Sequence, residues 1–256
     1  GISWLDDGSG FTYTQLRPED PEEARVDRYK RKPSRFHRLG SDPENDPVVV
    51  SYDKNRLPGQ ADVDTPIVYS VPESPWTVAM LAHGVDRSRT VFIAESADLS
   101  RPESIDWKPL INKDDKIESI DMDGDSIYML SALDAPRFQI LRTNVRTGSP
   151  QTAEVLVPES SSVLTDLTIL GGRLYVTSME GGVDAISVME LDDPLATLEP
   201  IDLPLIGRVV LLSNDYRQDD IYIGLTSWAQ AAAYYRYDPA DGSVNISSIR
   251  PLGPYD

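Results

Sequence analysis

Short apolar runs separated by turn residues are the dominant pattern of this 256-residue chain. The stretch 117–159 shows it most clearly, with four runs at residues 119–123, 126–131, 138–143 and 152–158. Runs of this length that end at Gly, Pro or Asp predict short strands joined by turns. Four such strands form one antiparallel sheet, which is too small to be stable alone. We therefore expect it to pack against copies of itself.

The same unit recurs along the whole chain. It predicts five four-stranded antiparallel blades, at residues 3–55, 64–113, 117–159, 163–205 and 208–250. Within the first blade, residues 18–33 are dense in charge and proline and predict a mobile, exposed loop. Four-strand repeats of this spacing are typical of an all-β fold, the β-propeller. A β-sandwich is the alternative fold, whereas no segment has the sustained period of a helix.

The charge balance narrows the classes of partner. The chain has 24 basic and 42 acidic residues and a net charge of −18, which argues against nucleic acid and against an anionic membrane surface. It contains no cysteine, so disulfides, thiolate metal sites and a cysteine nucleophile are excluded. No apolar run approaches the ~20 residues of a membrane-spanning helix.

Few residues are placed for catalysis. The Gly-x-Ser-x-Gly turn of many serine hydrolases is missing from the sequence. Of the two histidines, His37 lies in a predicted strand and is expected to be packed, while His83 lies in the turn 82–86 and is better placed for function. Residues 121–125 resemble a calcium loop, but the glycine comes two positions too early, so a plain Asp-Gly turn is predicted. We expect no cofactor and no metal.

Five motifs, in order along the chain, give a resemblance to one enzyme family. The chain resembles the propeller domain of the prolyl oligopeptidase family of serine peptidases. The matching segments are residues 3–13, the His-x-Leu-Gly-Ser run that begins at His37, Leu133-Asp134-Ala135-Pro136-Arg137, residues 155–159 and residues 221–228. Two positions depart from the family pattern: Ala82 stands where an arginine is usual, and residues 229–233 stand where a proline usually follows.

The resemblance implies a seven-bladed propeller, of which about five blades are present, that covers an α/β-hydrolase domain carrying the catalytic triad. It also implies a peptidase that cleaves short peptides after proline, with the propeller acting as a size filter and not as a catalyst. The expected partners are short proline-containing peptides and the catalytic domain of the same parent chain. The resemblance makes His83, Arg137 and Trp228 the candidates for residues that face the substrate cavity.

Two other functions remain open from the sequence. One is a free-standing five-bladed propeller that acts as a binding module, and the other is a glycosidase with carboxylates at the centre of a propeller. Residues 1–4 read as the middle of a strand and residues 251–256 as the start of a linker, so we expect the chain to be a piece of a longer protein. The expected location is the cytoplasm, with the periplasm as the alternative.

Overall fold

The computed structural model describes residues 2–18, 21–22, 24–211 and 221–249. These residues form twenty strands in five four-stranded antiparallel sheets, and in each sheet the strands lie in sequence order. The described residues contain five short 3-10 helices and no α-helix. The predicted all-β fold of four-stranded blades is therefore confirmed. None of the helices in the described part of the chain is long and apolar enough to cross a membrane.

The first three sheets use the strands up to residue 157. Their bounds are β1 (Ile2–Trp4), β2 (Gly10–Thr14), β3 (Ser34–Arg38), β4 (Val48–Val50); β5 (Thr65–Ser70), β6 (Trp76–Ala82), β7 (Arg89–Glu95), β8 (Lys108–Ile111); β9 (Ile117–Asp123), β10 (Ser126–Ser131), β11 (Gln139–Asn144) and β12 (Glu154–Val157).

The last two sheets use the strands from residue 163 onward. Their bounds are β13 (Val163–Leu170), β14 (Arg173–Glu180), β15 (Val183–Glu190), β16 (Glu199–Pro200); β17 (Arg208–Leu211), β18 (Ile221–Ser227), β19 (Gln230–Asp238) and β20 (Ser243–Ile246).

The chain divides into two compact units, Gly1–Leu133 with Leu141–Leu156 and Asp134–Ile140 with Val157–Asp256. In the first unit, β6 shows how the sheets pack. Its alternate residues point to opposite faces of the sheet. Val78 (0% exposed) joins an apolar cluster with residues of the third sheet, such as Ile127, while Ala79 (1% exposed) joins another with Phe36 of the first sheet. The second sheet is thus covered on both faces, which explains why β6 is apolar almost throughout.

The second unit has its own core. Residues of β14 and β15 pack against β18 and β19 in one buried cluster, which includes Tyr175, Ile186, Ile223 and Tyr237. The Tyr175 and Tyr237 rings meet edge to face, with centroids 6.2 Å apart, an arrangement that aromatic pairs favour. This core holds the fourth and fifth sheets together.

Some predicted local structures differ from those observed. The segment 18–33, predicted as a loop without structure, contains a 3-10 helix at Arg25–Tyr29. Asp27 holds this helix by an ion pair to Lys30 at 2.7 Å, and its backbone carbonyl accepts a hydrogen bond from Arg17. The strand predicted at 198–203 is only Glu199–Pro200; Pro200 has no N–H to donate, and beyond it the Ile201 N–H donates to the Ile186 carbonyl at 2.9 Å. The predicted strand residues 212, 213 and 220, and the predicted linker 251–256, lie outside the described residues.

Candidate functional site

His83 follows β6 directly, and its ring is anchored by protein groups on both sides. Its Nδ1 lies 2.8 Å from Asp64 Oδ1, and its Nε2 lies 2.9 Å from Thr90 Oγ1. Asp64 is buried and also accepts a hydrogen bond from the Ala61 backbone N–H at 2.7 Å. With its proton on Nδ1, the imidazole donates to Asp64 and accepts from the Thr90 hydroxyl. His83 therefore fixes the end of β6.

Two ion pairs connect the turn after His83 to the neighbouring part of the first unit. Lys113 Nζ lies 2.8 Å from Asp86 Oδ2, and Arg87 Nε lies 2.8 Å from Glu118 Oε2. The hydrogen bonds that Asp86 accepts from Lys113 and from the Ser88 N–H lower its pKa to about 2. Because Asp86 and Lys113 lie largely in solvent, this pair orients the turn more than it stabilises the fold.

Arg137 lies in a tight corner between β10 and β11. Asp134 and Phe138 both have positive φ angles, of 55° and 68°, which side chains other than glycine rarely adopt. The corner is held within the second unit by the backbone of Arg137: its N–H donates to Glu159 Oε1 at 2.7 Å, and its carbonyl accepts from the Leu164 N–H at 3.0 Å. The exposed Arg137 side chain extends from a corner that is itself rigidly fixed.

Trp228 lies in the turn between β18 and β19. Its side chain is fully exposed (108%), so it does not contribute to the core of the second unit. Single exposed apolar side chains are normal on protein surfaces, so the exposure of Trp228 permits contact with a ligand but does not by itself indicate one. The hydrogen bonds and ring contacts of the described residues do not connect Trp228 with Arg137.

One cleft opens in the first unit along the first strands of its sheets. This cleft, named the Tyr69 cleft, has a volume of about 290 Å³ and is lined by residues of β1, β2, β5 and β9. Its apolar lining residues are Ile2, Ile67, Val68 and Ile120, and its polar ones are Ser3, Tyr13, Thr14, Tyr69 and Asp121. Burial raises the pKa of Tyr69 well above its usual range, and the nearby charge of Asp121 raises it further. Tyr69 therefore stays neutral even at a pH at which an exposed tyrosine ionises.

A larger and more polar cleft opens in the second unit, between β13 and β17. This cleft, named the Arg208 cleft, has a volume of about 560 Å³, and its polar lining residues are Thr165, Asp166, Thr177, Asp184 and Arg208. The pairing of β13 with β14 shifts register between Leu164 and Asp166, which is a β-bulge. Bulges re-aim side chains and are frequent beside sites.

One face of the first sheet carries an aromatic row. Trp4, Phe11 and His37 are cross-strand partners, with ring centroids 5.0 Å apart for the first pair and 5.1 Å for the second. His37 Nδ1 lies 3.0 Å from the buried Asp46, which also accepts a hydrogen bond from the Tyr13 hydroxyl at 2.9 Å. His37 is thus packed in a strand, as the pattern predicts.

The described residues hold no cluster of three or more His, Cys, Asp or Glu side chains that fits a metal ion. In the Asp-Gly turn at 123–125, the Asp125 carboxylate makes hydrogen bonds within the protein. Asp125 accepts hydrogen bonds from Trp76 Nε1 and Arg146 Nε, both at 2.8 Å.

One family model matches nearly the whole chain. The N-terminal β-propeller domain of prolyl oligopeptidase matches residues 1–250. The chain belongs to this family. The propeller domain is 23% identical over 254 residues to a prolyl endopeptidase of Elizabethkingia meningoseptica, covering 96% of this chain and 33% of that protein. It is 22% identical to a dual function macrocyclase-peptidase of Amanita bisporigera, covering 97% of this chain and 33% of that protein.

Solved structures show the same fold. A prolyl endopeptidase, studied for the role of inter-domain dynamics in catalysis and specificity, superimposes with a TM-score of 0.77 at 20% identity, covering 96% of this chain and 34% of that one. Oligopeptidase B from Leishmania major superimposes with a TM-score of 0.74 at 14% identity, covering 100% and 34%. The propeller domain spans about a third of the length of the relatives that it matches.

The three residues singled out from the sequence lie in different local settings of the propeller domain. His83 belongs to the first unit, where its ring is half-buried and hydrogen bonded, while Arg137 and Trp228 lie exposed in the second. Their contact with a substrate stays a prediction. The Arg208 cleft was missed, because Thr165, Asp184 and Arg208 are ordinary residues of separate strands and no motif connects them. The one usable signal was Gly207, next to Arg208, at which the chain needs a residue without a Cβ.

Proposed function

We propose that this chain is the propeller part of a serine endopeptidase of the prolyl oligopeptidase type, which cleaves short peptides after proline. The propeller is not catalytic itself; it restricts the substrates that reach the catalytic domain of the same polypeptide. The observation that carries this proposal is the family match over residues 1–250, together with relatives that are prolyl endopeptidases about three times as long. The missing Gly-x-Ser-x-Gly turn agrees with a part that leaves the chemistry to another domain.

The distribution of polar groups supports a filtering role. Both clefts lie along the first strand of a sheet, and their linings combine apolar side chains with hydroxyl and carboxylate groups, joined in the Arg208 cleft by a guanidinium group. Peptide substrates need such mixed surfaces, because their backbones carry donors and acceptors that cost free energy when they are left unpaired. Acid residues exceed basic ones by 18, which does not favour nucleic acid as a ligand.

The exposed apolar side chains on the aromatic face of the first sheet favour the presence of further sheets in the whole protein. Ile2 and Trp4 lie on one face of β1 and are 66% and 53% exposed, whereas Thr12, on the other face of the sheet, is buried. Apolar sheet faces of this kind are normally covered. We propose that another blade of the same polypeptide packs on this face, as in a larger propeller.

The test is the dependence of cleavage on substrate size. The polypeptide that contains this chain and the catalytic domain is assayed on peptides of increasing length with one proline, on a folded protein, and on the same protein after unfolding. We expect fast cleavage of the short peptides and none of the folded protein. Cleavage of the folded protein at the rate of a short peptide would overturn the filter, and no cleavage after proline would overturn the peptidase. A reading frame without a hydrolase domain would favour the free-standing binding module.

A further inference from the structure

The Arg208 cleft has a fixed framework around its one basic group. The Asp184 N–H donates to the Gly207 carbonyl at 3.1 Å, and the Val209 N–H donates to Asp184 Oδ2 at 2.9 Å, so the start of β15 brackets residue 208 from both sides. A Cβ at Gly207 would clash with the Thr226 carbonyl oxygen, so the backbone packs closely there. The backbone on both sides of Arg208 is therefore held in place.

Arg208 has no ion pair or hydrogen bond among the described residues, in contrast to Arg146, which pairs with Glu95 and Asp125 at 2.8 Å each. A guanidinium group presents a fork of donors that matches a carboxylate in a bidentate way. In a chain of net charge −18, acidic residues are abundant, yet within the described part none pairs with this guanidinium. The group is available to a ligand.

The other side of the cleft offers hydrogen-bond acceptors and an apolar wall. Asp184 uses Oδ2 for the Val209 N–H, which leaves Oδ1 to accept a hydrogen bond from a ligand. The hydroxyls of Thr165 and Thr177 lie 2.9 Å apart at the bulge, and Met179 and Val210 line the same cleft with about two fifths and about half of their surface exposed. A ligand that fits must present a carboxylate, an N–H donor and an apolar group close together.

We propose that the Arg208 cleft binds the C-terminal residue of a peptide. Its carboxylate pairs with Arg208, its own amide N–H donates to Asp184, and its apolar side chain contacts Met179 and Val210. This inference rests on the proposed function, in that peptides are what enter the protein. An inorganic anion fits less well, because it brings no amide N–H for Asp184 and no apolar group for Met179 and Val210.

The experiment measures peptide binding directly, without catalysis. The 256-residue chain is titrated with N-acetyl-trialanyl-leucine, once with a free carboxylate and once as its C-terminal amide, and the dissociation constants are read from NMR shifts. We expect the original chain to bind the amide about tenfold more weakly than the free carboxylate peptide. The Arg208→Gln variant should bind the carboxylate peptide about tenfold more weakly than the original chain does. Its dissociation constants for the two peptides should therefore be equal. Asp184→Asn, which keeps an acceptor for Val209, weakens both peptides by a few-fold.

The control is Arg236→Gln, which removes an exposed guanidinium from β19, outside the lining of the cleft, and should change neither constant. Equal binding of both peptides to the unchanged chain, no effect of Arg208→Gln, or no binding at all would overturn the inference. Competition by phosphate at the concentration of the peptide would also overturn it, in favour of a simple anion site. Because this experiment measures binding and not cleavage, its result does not depend on whether the peptidase proposal is correct. A failure to bind these peptides likewise leaves the peptidase proposal standing.

Discussion

His83 and His37 share one arrangement at the scale of single residues. Each ring nitrogen Nδ1 faces a buried aspartate, Asp64 or Asp46, and each aspartate accepts a further hydrogen bond from the surrounding chain. Buried carboxylates are tolerated only where such partners satisfy them. The two histidines are therefore parts of small buried networks that fix the ends and edges of strands.

His83→Ala is expected to lower the free energy of unfolding by about 1–3 kcal/mol, because it leaves the buried Asp64 without its principal partner. Denaturation in urea, followed by circular dichroism, measures the change. Trp228→Ala is the control, and because Trp228 is fully exposed it should change the stability by less than about 0.5 kcal/mol. A His83→Ala variant as stable as the original chain would show that the network does not anchor the turn.

Tyr13 gives a prediction about alkaline pH. Burial, followed by the hydrogen bond to Asp46, raises the pKa of Tyr13 to about 12 from 10.0. A raised folded-state pKa means that the stability contributed by the neutral hydroxyl is complete below pH 10 and is lost as the pH rises through 12. Tyr13→Phe should therefore lose less stability between pH 10 and pH 12 than the original chain does.

Urea denaturation across this pH range makes the comparison, with Tyr29→Phe, an exposed tyrosine, as the matched control. The control should follow the original chain. If Tyr13→Phe and the original chain lose stability in parallel, the hydrogen bond to Asp46 does not govern the titration.

Single residues also mark where prediction from the sequence ends. The packed state of His37 could be predicted, because a histidine within an alternating strand has one face covered. The partners could not: Asp46 and Asp64 lie in loops 9 and 19 residues from their histidines, and only the folded chain brings them together. The Arg208 cleft could not be predicted for the same reason, because its lining residues come together only in the folded chain.

At the scale of elements, the first two sheets are joined by side chains that bond to the edge of a neighbouring strand. The hydroxyl of Thr12 donates to the carbonyl of Val68, and that of Thr14 donates to the carbonyl of Pro66 at 2.8 Å. Strand β5 is the edge of its sheet, so alternate carbonyls there lack a partner within the sheet. The two threonines of β2 supply the missing donors.

Thr12→Val tests this joint. The substitution keeps the shape of the side chain but leaves the Val68 carbonyl without its donor in a buried place, so we expect a loss of about 1–3 kcal/mol in the free energy of unfolding. Thr14→Val, at a less buried position, should cost less. Equal stability of Thr12→Val and the original chain in urea would mean that the apolar cluster alone joins the two sheets.

The strands themselves follow well from the sequence, because apolar residues at alternate positions and Gly, Pro and Asp at the breaks are local signals. Their ends do not. Phe138 was expected to start a strand, but its positive φ belongs to the corner at Arg137, so β11 begins at Gln139. Such corners depend on hydrogen bonds to β13 and the residues before it, which have no local signature.

At the scale of the whole molecule, the family was within reach of the sequence. The ordered motifs from residue 3 to residue 228 predicted the propeller of prolyl oligopeptidases, and the family model over residues 1–250 confirms it. Individual motifs are weak at an identity of 23%, but their order along the chain reflects the order of the blades. The order of motifs does not predict which side chains would contact a substrate.

The measurement that tests the account most directly is a peptidase assay on a short chromogenic peptide with one proline. The 256-residue chain alone is compared with a longer polypeptide that also contains the proposed catalytic domain. The account predicts no turnover by the chain alone and clear turnover by the longer polypeptide. Turnover by the chain alone, or none by the longer polypeptide, would contradict it.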